Sequence, residues 1–294
     1  REVLAGAAKT AAAGVAVSAF PLGGAGCAPP SARIAVVGAG IAGLHCAYRL
    51  KEAGFDVTIY EAQGRVGGRM WTGRGVFPEG QIFEIGGELI DSNHATMWAL
   101  ADELGIEIQD RWAFETPGME RETYYLGGAH VPVDLLLAQA IPIMGTMEQQ
   151  VADAETDDAA FELLDNTKLS DWLDTYVPID ATPELHKTLR AAFVGEFGLE
   201  AEEQSALNML YLFGYGSEDE FLIFGDSDER WHTADGNDTF TSTLAASFEP
   251  QQIVFGARLV WAGGGAEGEP ITLTFIRSDG PFAVEVDYVL LALP

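Results

Sequence analysis

The clustering of apolar residues after the first thirty positions predicts a strand followed by a helix. Residues 34–37 form a short apolar run bounded by a glycine, which is typical of a strand buried on both faces of a parallel sheet. The predicted helix keeps Ile41, Leu44 and Tyr48 on one face. It is expected to end near Gly54, because glycine readily adopts the left-handed conformation that ends helices. The pattern therefore predicts the first half of a strand–helix–strand unit.

A glycine-rich turn joins this strand to this helix. Gly38, Gly40 and Gly43 have the G-x-G-x-x-G spacing, which permits a tight turn, close approach to a pyrophosphate and close helix–strand packing. The free N–H groups at the start of the helix point at the phosphates. The next strand closes on Glu61, where an acid hydrogen-bonds a ribose diol. Because a carboxylate repels a 2′-phosphate, the turn predicts a site for NAD or FAD.

A second glycine-rich loop follows directly and separates these two dinucleotides. Its sequence is Gly64-Arg65-Val66-Gly67-Gly68-Arg69. The glycines let backbone N–H groups face the pyrophosphate, and Arg69 adds a guanidinium fork that binds an anion bidentately. The loop resembles the signature of a large FAD family that includes flavin amine oxidases, polyamine oxidases, L-amino-acid oxidases, phytoene desaturases and protoporphyrinogen oxidases. It therefore favours FAD, since ordinary NAD dehydrogenases have no reason to carry it there.

Later segments resemble the flavin amine oxidase branch of that family. Gly86 and Gly87 lie where these enzymes carry a glycine pair beside the isoalloxazine ring, and glycine lets main chain lie against a flat ring. L-amino-acid oxidases place an arginine close to this point, whereas this chain has Glu88-Leu89-Ile90, so amines are at least as good candidate substrates as amino acids. The resemblance implies that the cofactor is bound by Gly38, Gly40, Ala42, Gly43, Glu61, Ala62, Arg65, Gly68, Arg69, Gly86, Gly87, Glu88, Leu89 and, through its backbone, Leu259.

The resemblance also implies an α/β fold, namely a Rossmann-type FAD-binding domain of the glutathione-reductase-like class with a mostly helical substrate-binding insertion. Residues 231–244 resemble the return into the FAD domain, and residues 286–294 resemble a buried strand ahead of a proline turn. The family's lysine near the flavin and its closing flavin motif would lie beyond Pro294. We therefore assign no catalytic side chain and expect the chain alone to bind FAD poorly and to be inactive. The predicted parts are a leader (1–31), the first part of the FAD domain (32–91), the insertion (92–230) and the second part of the FAD domain (231–294).

Periodicity predicts further elements within these parts. Helical spacing over 97–104 ahead of Gly105 predicts a helix, and Gly127-Gly128 between apolar runs predicts a hairpin. After residue 238 the period is two, which predicts strands, with a turn at Ser278-Asp279-Gly280. Further expectations are helix starts at Ser170 and Thr182-Pro183, a helix over 206–213, a strand position for Phe255, and three aromatic residues that either pack in a core or line a substrate pocket (Phe221, Phe224 and Trp231).

The first residues have the composition of a targeting segment. Residues 1 to about 31 are rich in alanine and glycine, with an apolar stretch too short and too weak to span a membrane. Arg1-Glu2-Val3-Leu4 resembles the second half of a twin-arginine signal, Cys27 is a candidate lipid attachment point, and a Sec-type leader is the third alternative. All three predict an exported protein, periplasmic or extracellular.

The charge balance is strongly acidic, with 16 Lys and Arg against 45 Asp and Glu and a net charge of −29. Such a surface repels nucleic acid and anionic membranes, so neither is an expected partner. The negative field either draws in cationic amines or simply keeps the protein soluble. The histidines and cysteines lack metal-ligand spacing, so no metal site is predicted, and Cys46 is expected to be a small buried thiol.

The resemblance implies oxidation of an amine. The carbon next to the nitrogen loses a hydride equivalent to FAD, the imine hydrolyses, and dioxygen reoxidises the flavin to give hydrogen peroxide. The expected partners are a small amine or amino acid and dioxygen. An FAD-dependent desaturase or protoporphyrinogen-type oxidase is an alternative because such enzymes share the first FAD motifs, and a non-catalytic FAD-binding fragment is another.

Overall fold

The computed structural model describes residues 31–119, 122–214, 220–264 and 269–294. The chain divides into two compact units. The sheet unit contains the described residues up to Phe114 together with Glu229–Pro294, and the helical unit contains the described residues of Glu115–Asp228. The predicted leader lies, apart from residue 31, outside the described residues.

A parallel sheet forms the centre of the sheet unit. With strands numbered in chain order, it has the order β13-β1-β2-β9, and each neighbouring pair is parallel. The central strands are β1 (Arg33–Val37) and β2 (Asp56–Tyr60), and the outer ones are β9 (Ile253–Val254) and β13 (Tyr288–Leu291). The expected last strand forms as β13, and among the described strands it lies at the edge of the sheet, with its first and last residues 56% and 57% exposed. Its burial in the protein that carries this chain stays a prediction.

Both faces of this sheet are covered, because successive side chains of β1 point in opposite directions. Ile34 and Val36 belong to a core shared with three helices, whereas Ala35 and Val37 belong to a core shared with an antiparallel sheet. The Tyr60 ring stacks on Phe275 of that sheet, with ring centroids 4.5 Å apart. The helices are Ile41–Glu52, Ala95–Leu104 and Asp238–Ala246, and the antiparallel strands are β10 (Arg258–Gly264), β11 (Ile271–Arg277) and β12 (Gly280–Val286).

Two short antiparallel pairs complete the strands described in this unit. Strand β3 (Thr72–Gly73) pairs with β4 (Phe83–Glu84), and β5 (Ile108–Asp110) pairs with β8 (Trp231–Thr233). Single turns of 3₁₀ helix occur at Pro78–Gly80, Arg111–Phe114 and Pro250–Gln252. The β3–β4 pair brings the segment after the second glycine loop beside the predicted flavin-facing segment.

The helical unit packs helices around one apolar core. The largest side chains in that core with no exposed surface, or nearly none, are Trp172 and Phe193. A hairpin precedes the helices, and the two glycines of its turn have φ angles of 60° and 88°, as a two-residue hairpin turn requires. The strands are β6 (Tyr124–Leu126) and β7 (Ala129–Val131), and the helices are Val133–Thr156, Asp158–Asp165, Leu169–Tyr176, Pro183–Phe197 and Ala206–Leu212.

Most predicted element boundaries agree with the structure. Gly54 and Gly105 follow helix ends with φ angles of 87° and 66°, and Thr182-Pro183 begins a helix. Ser170 does not begin one, because the helix starts at Leu169 after Lys168 and the Ser170 hydroxyl approaches Asp171 instead of a backbone N–H.

Other expectations are corrected by packing. Phe255 lies in a turn after β9, with 40% of its surface exposed, instead of within a strand. Cys46 is only partly buried, which raises the pKa of its thiol. Phe221 and Phe224 pack in the helical core, and the Trp231 ring packs edge-on against Trp98, so these aromatics are core residues in the described structure.

The helical unit begins later in the chain than the insertion predicted to start at residue 92. The helical unit begins at Glu115, and helix Ala95–Leu104 belongs to the sheet unit. The physical reason is that Leu100 and Ala101 are buried in the same core as β1. The substrate-binding role of the insertion stays a prediction.

Candidate cofactor site

The first glycine turn is built so tightly that two of its positions exclude any side chain. Gly38 has a φ of 108° and its N–H donates to the Tyr60 carbonyl at 2.8 Å. A Cβ on Gly43 would overlap the carbonyl oxygen of Gly38. These two positions therefore lock the first helix onto β1, as the spacing predicts.

The middle glycine, in contrast, faces open space. A Cβ on Gly40 would meet no atom within 4 Å. Gly40 caps helix Ile41–Glu52, whose first turn has neither a side-chain cap nor an acidic residue. The N–H groups of this first helical turn are thus available to an anion, and exposed Ala42 lies in the same turn. A pyrophosphate fits these donors and this space.

Glu61 is buried and holds the turn together. One carboxylate oxygen accepts from the Ala39 N–H and the other from the Gln63 N–H, both at 2.7 Å. Each carboxylate oxygen keeps a second lone pair, so a ribose hydroxyl can still donate to it. The sequence indicated the ribose contact, whereas the clamp on Ala39 is visible only in the structure.

The second glycine loop lies directly against the first. Gly67 donates to the Ala39 carbonyl at 2.8 Å, and a Cβ on Gly68 would lie 3.3 Å from the Gly40 Cα. Arg65 folds back on its own loop, donating to the carbonyls of Val66 at 3.1 Å and Gly68 at 2.8 Å. Its guanidinium also lies 4.5 Å from the centre of the Trp71 ring. Arg65 therefore shapes the loop, and a direct contact with the cofactor stays a prediction.

Arg69 differs from its neighbouring arginines. Arg74 is held by Asp238 through two bonds of 2.7 and 2.8 Å, and Arg65 is held by its loop. Arg69 is exposed, and within the described parts of the chain its guanidinium has no hydrogen-bond or ion-pair partner. In a protein with a net charge of −29, an exposed guanidinium without a partner among the described residues, on a loop whose backbone contacts the start of the first helix, suits a phosphate.

The predicted flavin-facing segment contacts this second loop. The Gly87 N–H donates to the Arg69 carbonyl at 2.8 Å, and a Cβ on Gly86 would overlap the same oxygen. The Asn237 side chain donates from the other direction, to the carbonyls of Gly87 at 3.0 Å and Glu88 at 2.7 Å. The structure thus brings Arg69, Gly86 and Gly87 together. Sequence reasoning missed Asn237, for which the only signal was its place in the return segment.

A polar network supports this arrangement. Glu84 accepts from the backbone N–H of Asn237 at 2.8 Å and from the Thr72 hydroxyl at 2.9 Å. Asp238 accepts from the Thr72 N–H at 3.3 Å as well as from Arg74. Burial acts to raise the pKa of Asp238, but the hydrogen bonds and charge of Arg74 and the hydrogen bonds of Thr72 outweigh it and leave that pKa below its ordinary value.

The other predicted residues are spread around this centre. Ala62 is exposed just after β2, Glu88 is exposed and Leu89 is half-buried. Leu259 is half-buried at the start of β10, where its side chain packs against the antiparallel core. Leu259 lies two residues after Ala257, whose N–H donates to the Glu61 carbonyl at 2.8 Å. Its predicted backbone contact with adenine stays a prediction.

The rest of the described chain offers less chemistry. The helical unit has an open cleft of about 210 Å³ between the hairpin and helix Pro183–Phe197, with His130, Glu184 and Lys187 among its lining residues. Among the described residues, no three His, Cys, Asp or Glu side chains are grouped as metal ligands. No helix described here is long and apolar enough to cross a membrane.

Comparison with known proteins gives one family. A family model described as flavin containing amine oxidoreductase matches residues 41–294. Putrescine oxidase of Kocuria rosea is 41% identical over 96 residues, which are 31% of this chain and 20% of that protein. Protoporphyrinogen oxidase 2 of Arabidopsis thaliana is 43% identical over 74 residues, which are 25% and 14% of the two chains. L-amino-acid oxidase of Mus musculus is 42% identical over 76 residues, which are 26% of this chain and 12% of that protein.

Solved structures share the fold. Putrescine oxidase bound to putrescine matches with a TM-score of 0.69 and 22% sequence identity. Cyclohexylamine oxidase from Brevibacterium oxydans matches with a TM-score of 0.70 and 21% sequence identity. Each match covers 90% of this chain and 58% of the other, so this chain spans less than two thirds of these relatives. The predicted family resemblance, the α/β Rossmann-type fold and FAD as the cofactor are confirmed.

Proposed function

Because the chain belongs to the family of flavin-containing amine oxidoreductases, we propose that the protein carrying it oxidises the C–N bond of a small amine. The observation that carries the proposal is the meeting of two glycine loops at an open helix start, together with Arg69, whose guanidinium has no partner among the residues that the structure describes. This combination offers backbone donors and one cation to a pyrophosphate. The relatives named as amine oxidases support the substrate class.

The residues of this chain bind and orient the cofactor. The first helical turn and Arg69 would hold the pyrophosphate, Glu61 the ribose, and Gly86 and Gly87 would let main chain approach the ring. Once bound, FAD supplies a two-electron acceptor. The amine loses two electrons and two protons to become an imine, which water hydrolyses, and dioxygen takes up the same electrons and protons as hydrogen peroxide. We assign no catalytic side chain to this stretch.

The proposed substrate is an amine more than an amino acid. Glu88 and Leu89 stand where an arginine would be expected for a substrate carboxylate, and Glu88 is exposed. A carboxylate at this place favours a cationic substrate over an anionic one. The similarity to a protoporphyrinogen oxidase covers 25% of this chain, which keeps a porphyrinogen-type substrate as the second candidate.

The direct test uses protein expressed from its complete gene in cells supplied with riboflavin. We expect a flavin absorption spectrum and release of hydrogen peroxide with members of an amine panel. Peroxide with amino acids alone, or oxidation of a porphyrinogen alone, would replace the proposed substrate class. Colourless protein would refute FAD binding by this chain, and with it both the amine oxidase and the non-catalytic FAD-binding fragment.

A matched pair of arginine variants tests the site itself. Arg69→Gln removes a cation that has no partner in the described structure, so we expect FAD affinity to fall about tenfold with little change in stability. Arg65→Gln removes the bonds to Val66 and Gly68, so we expect lower stability of the loop. The measurements are FAD titration and thermal unfolding. Unchanged FAD affinity in Arg69→Gln would remove that residue from the site.

We also propose export, on the composition of residues 1–31. Fractionation of cells producing the complete protein, followed by sequencing of its mature N-terminus, tests this proposal. A processed protein outside the cytoplasm is expected. Lipid on Cys27 would select the lipoprotein alternative, and unprocessed cytoplasmic protein would contradict export altogether.

A further inference from the structure

We propose that Asn237 is a positioning residue that sets the conformation of the flavin-facing segment Gly86-Gly87-Glu88, an inference that rests on the proposed function. Asn237 is 2% exposed and lies in the segment that returns to the sheet unit. Its amide nitrogen donates to the carbonyls of Gly87 and Glu88 at 3.0 and 2.7 Å. No other described side chain donates to either carbonyl.

Both the nitrogen and the oxygen of the Asn237 amide have hydrogen-bond partners. Its oxygen accepts from the Thr233 N–H at 3.0 Å, and its own backbone N–H donates to Glu84 at 2.8 Å. A side chain at this position must therefore donate in one direction and accept in the other. Among isosteres of its size only an amide does both, because aspartate accepts alone and leucine does neither.

Asn237 acts on a segment that contains two consecutive glycines. Two consecutive glycines have a wide choice of backbone conformations, and ordering them on binding costs free energy. The Gly87 N–H donates to the Arg69 carbonyl, and the Gly87 carbonyl accepts from the Asn237 side chain. Gly87 is therefore held from two directions. With both restraints the segment has its shape before the cofactor arrives.

The helical unit contains a matched control. Gln204 is 3% exposed and its amide nitrogen likewise donates to two backbone carbonyls, those of Phe193 at 3.0 Å and of Leu199. Gln204→Glu and Asn237→Asp are therefore the same chemical change, an oxygen placed against two carbonyl oxygens. Only Asn237 touches the flavin-facing segment.

The experiment compares Asn237→Asp, Asn237→Ala and Gln204→Glu in protein expressed from the complete gene. FAD dissociation constants, the visible absorption spectrum of the bound flavin and thermal unfolding without cofactor are measured. Both Asn237 variants are expected to bind FAD about tenfold more weakly and to shift the flavin spectrum. Gln204→Glu is expected to lower the unfolding temperature while leaving FAD affinity and the spectrum unchanged.

Each outcome decides between positioning and a merely structural role. Unchanged FAD affinity and spectrum in the Asn237 variants would overturn the inference, and so would equal losses in Gln204→Glu. If neither Asn237 variant folds while Gln204→Glu does, Asn237 is a folding residue and the inference fails. Wild-type protein without flavin would instead defeat the proposed function, which separates the two failures.

Discussion

Each unit of this protein has buried apolar side chains, but the sheet unit also contains a tightly packed backbone turn. In the sheet unit, backbone groups meet backbone groups at positions where a side chain does not fit, as at Gly43 against Gly38. In the helical unit, large apolar side chains fill the interior, as Phe193 does. A glycine in the helical unit, Gly145, lies in the middle of a helix, where an added Cβ would meet nothing within 4 Å.

This difference explains why the chemistry is evident in one unit and not in the other. Backbone N–H groups with fixed directions bind one kind of group, an anion of defined shape. An apolar core can be rebuilt from many combinations of side chains of similar volume. The sheet unit therefore identifies a cofactor, while the helical unit leaves the substrate to experiment.

The greatest loss of stability is expected from a cavity in the helical unit. Phe193→Ala removes a ring with no exposed surface, so we expect a loss of about 4 kcal/mol in the free energy of unfolding. Phe197, whose ring is 6.3 Å away and which is 40% exposed, is the control, and Phe197→Ala is expected to cost much less. Urea unfolding measures both. Equal losses would show that packing does not dominate this unit.

The next effect is steric and belongs to the sheet unit. Gly43→Ala places a methyl group against the Gly38 carbonyl, so we expect a loss of about 3 kcal/mol together with loss of FAD binding. Gly145→Ala in the helical unit should instead stabilise by about 0.5–1 kcal/mol, since a mid-helix glycine costs entropy. Denaturant titration of the two variants is the measurement. A stabilising Gly43→Ala would contradict the proposed tightness of the turn.

The weakest effect concerns one ion pair from each unit. Two nitrogens of Arg74 donate to the two oxygens of Asp238, whereas one nitrogen of Arg190 donates to both oxygens of Glu202. Both carboxyl groups have a lowered pKa, and for Glu202 the main cause is the hydrogen bond from Arg190. Asp238 is less exposed, so Asp238→Asn is expected to cost about 1 kcal/mol at neutral pH. Glu202→Gln is expected to cost less and to lose its effect in high salt.

The pH dependence of this comparison has a definite sign. A carboxyl whose pKa is lower in the folded state stabilises fully above its unfolded pKa, and this contribution is lost as the pH falls through the folded value. For Asp238 the ordinary value is 3.8, so the difference between wild type and Asp238→Asn should shrink only in more acidic solution. Thermal unfolding from neutral to acidic pH checks this. A constant difference across that range would mean that the charge of Asp238 does not contribute.

Elements that depend on neighbouring residues were predictable from sequence. The turn of the hairpin at Gly127-Gly128 and the end of a helix at Gly105 follow from the positive φ angles that glycine tolerates. Ser170 and Phe255 were placed wrongly, because the register of a helix start and the end of a strand depend on packing that a local pattern does not contain.

The strand, glycine turn, helix and acidic strand end of the cofactor site follow from the sequence alone, because these steric and directional demands act between residues that are close in the chain. The structure alone shows that Arg65 folds back on its own loop while Arg69 stays unpaired among the described residues. Two other features join distant parts of the chain: Glu61 clamps Ala39, and Asn237 holds Gly87 across 150 residues. Hydrogen bonds of that span depend on how the return segment packs beside β4, and no local spacing encodes them.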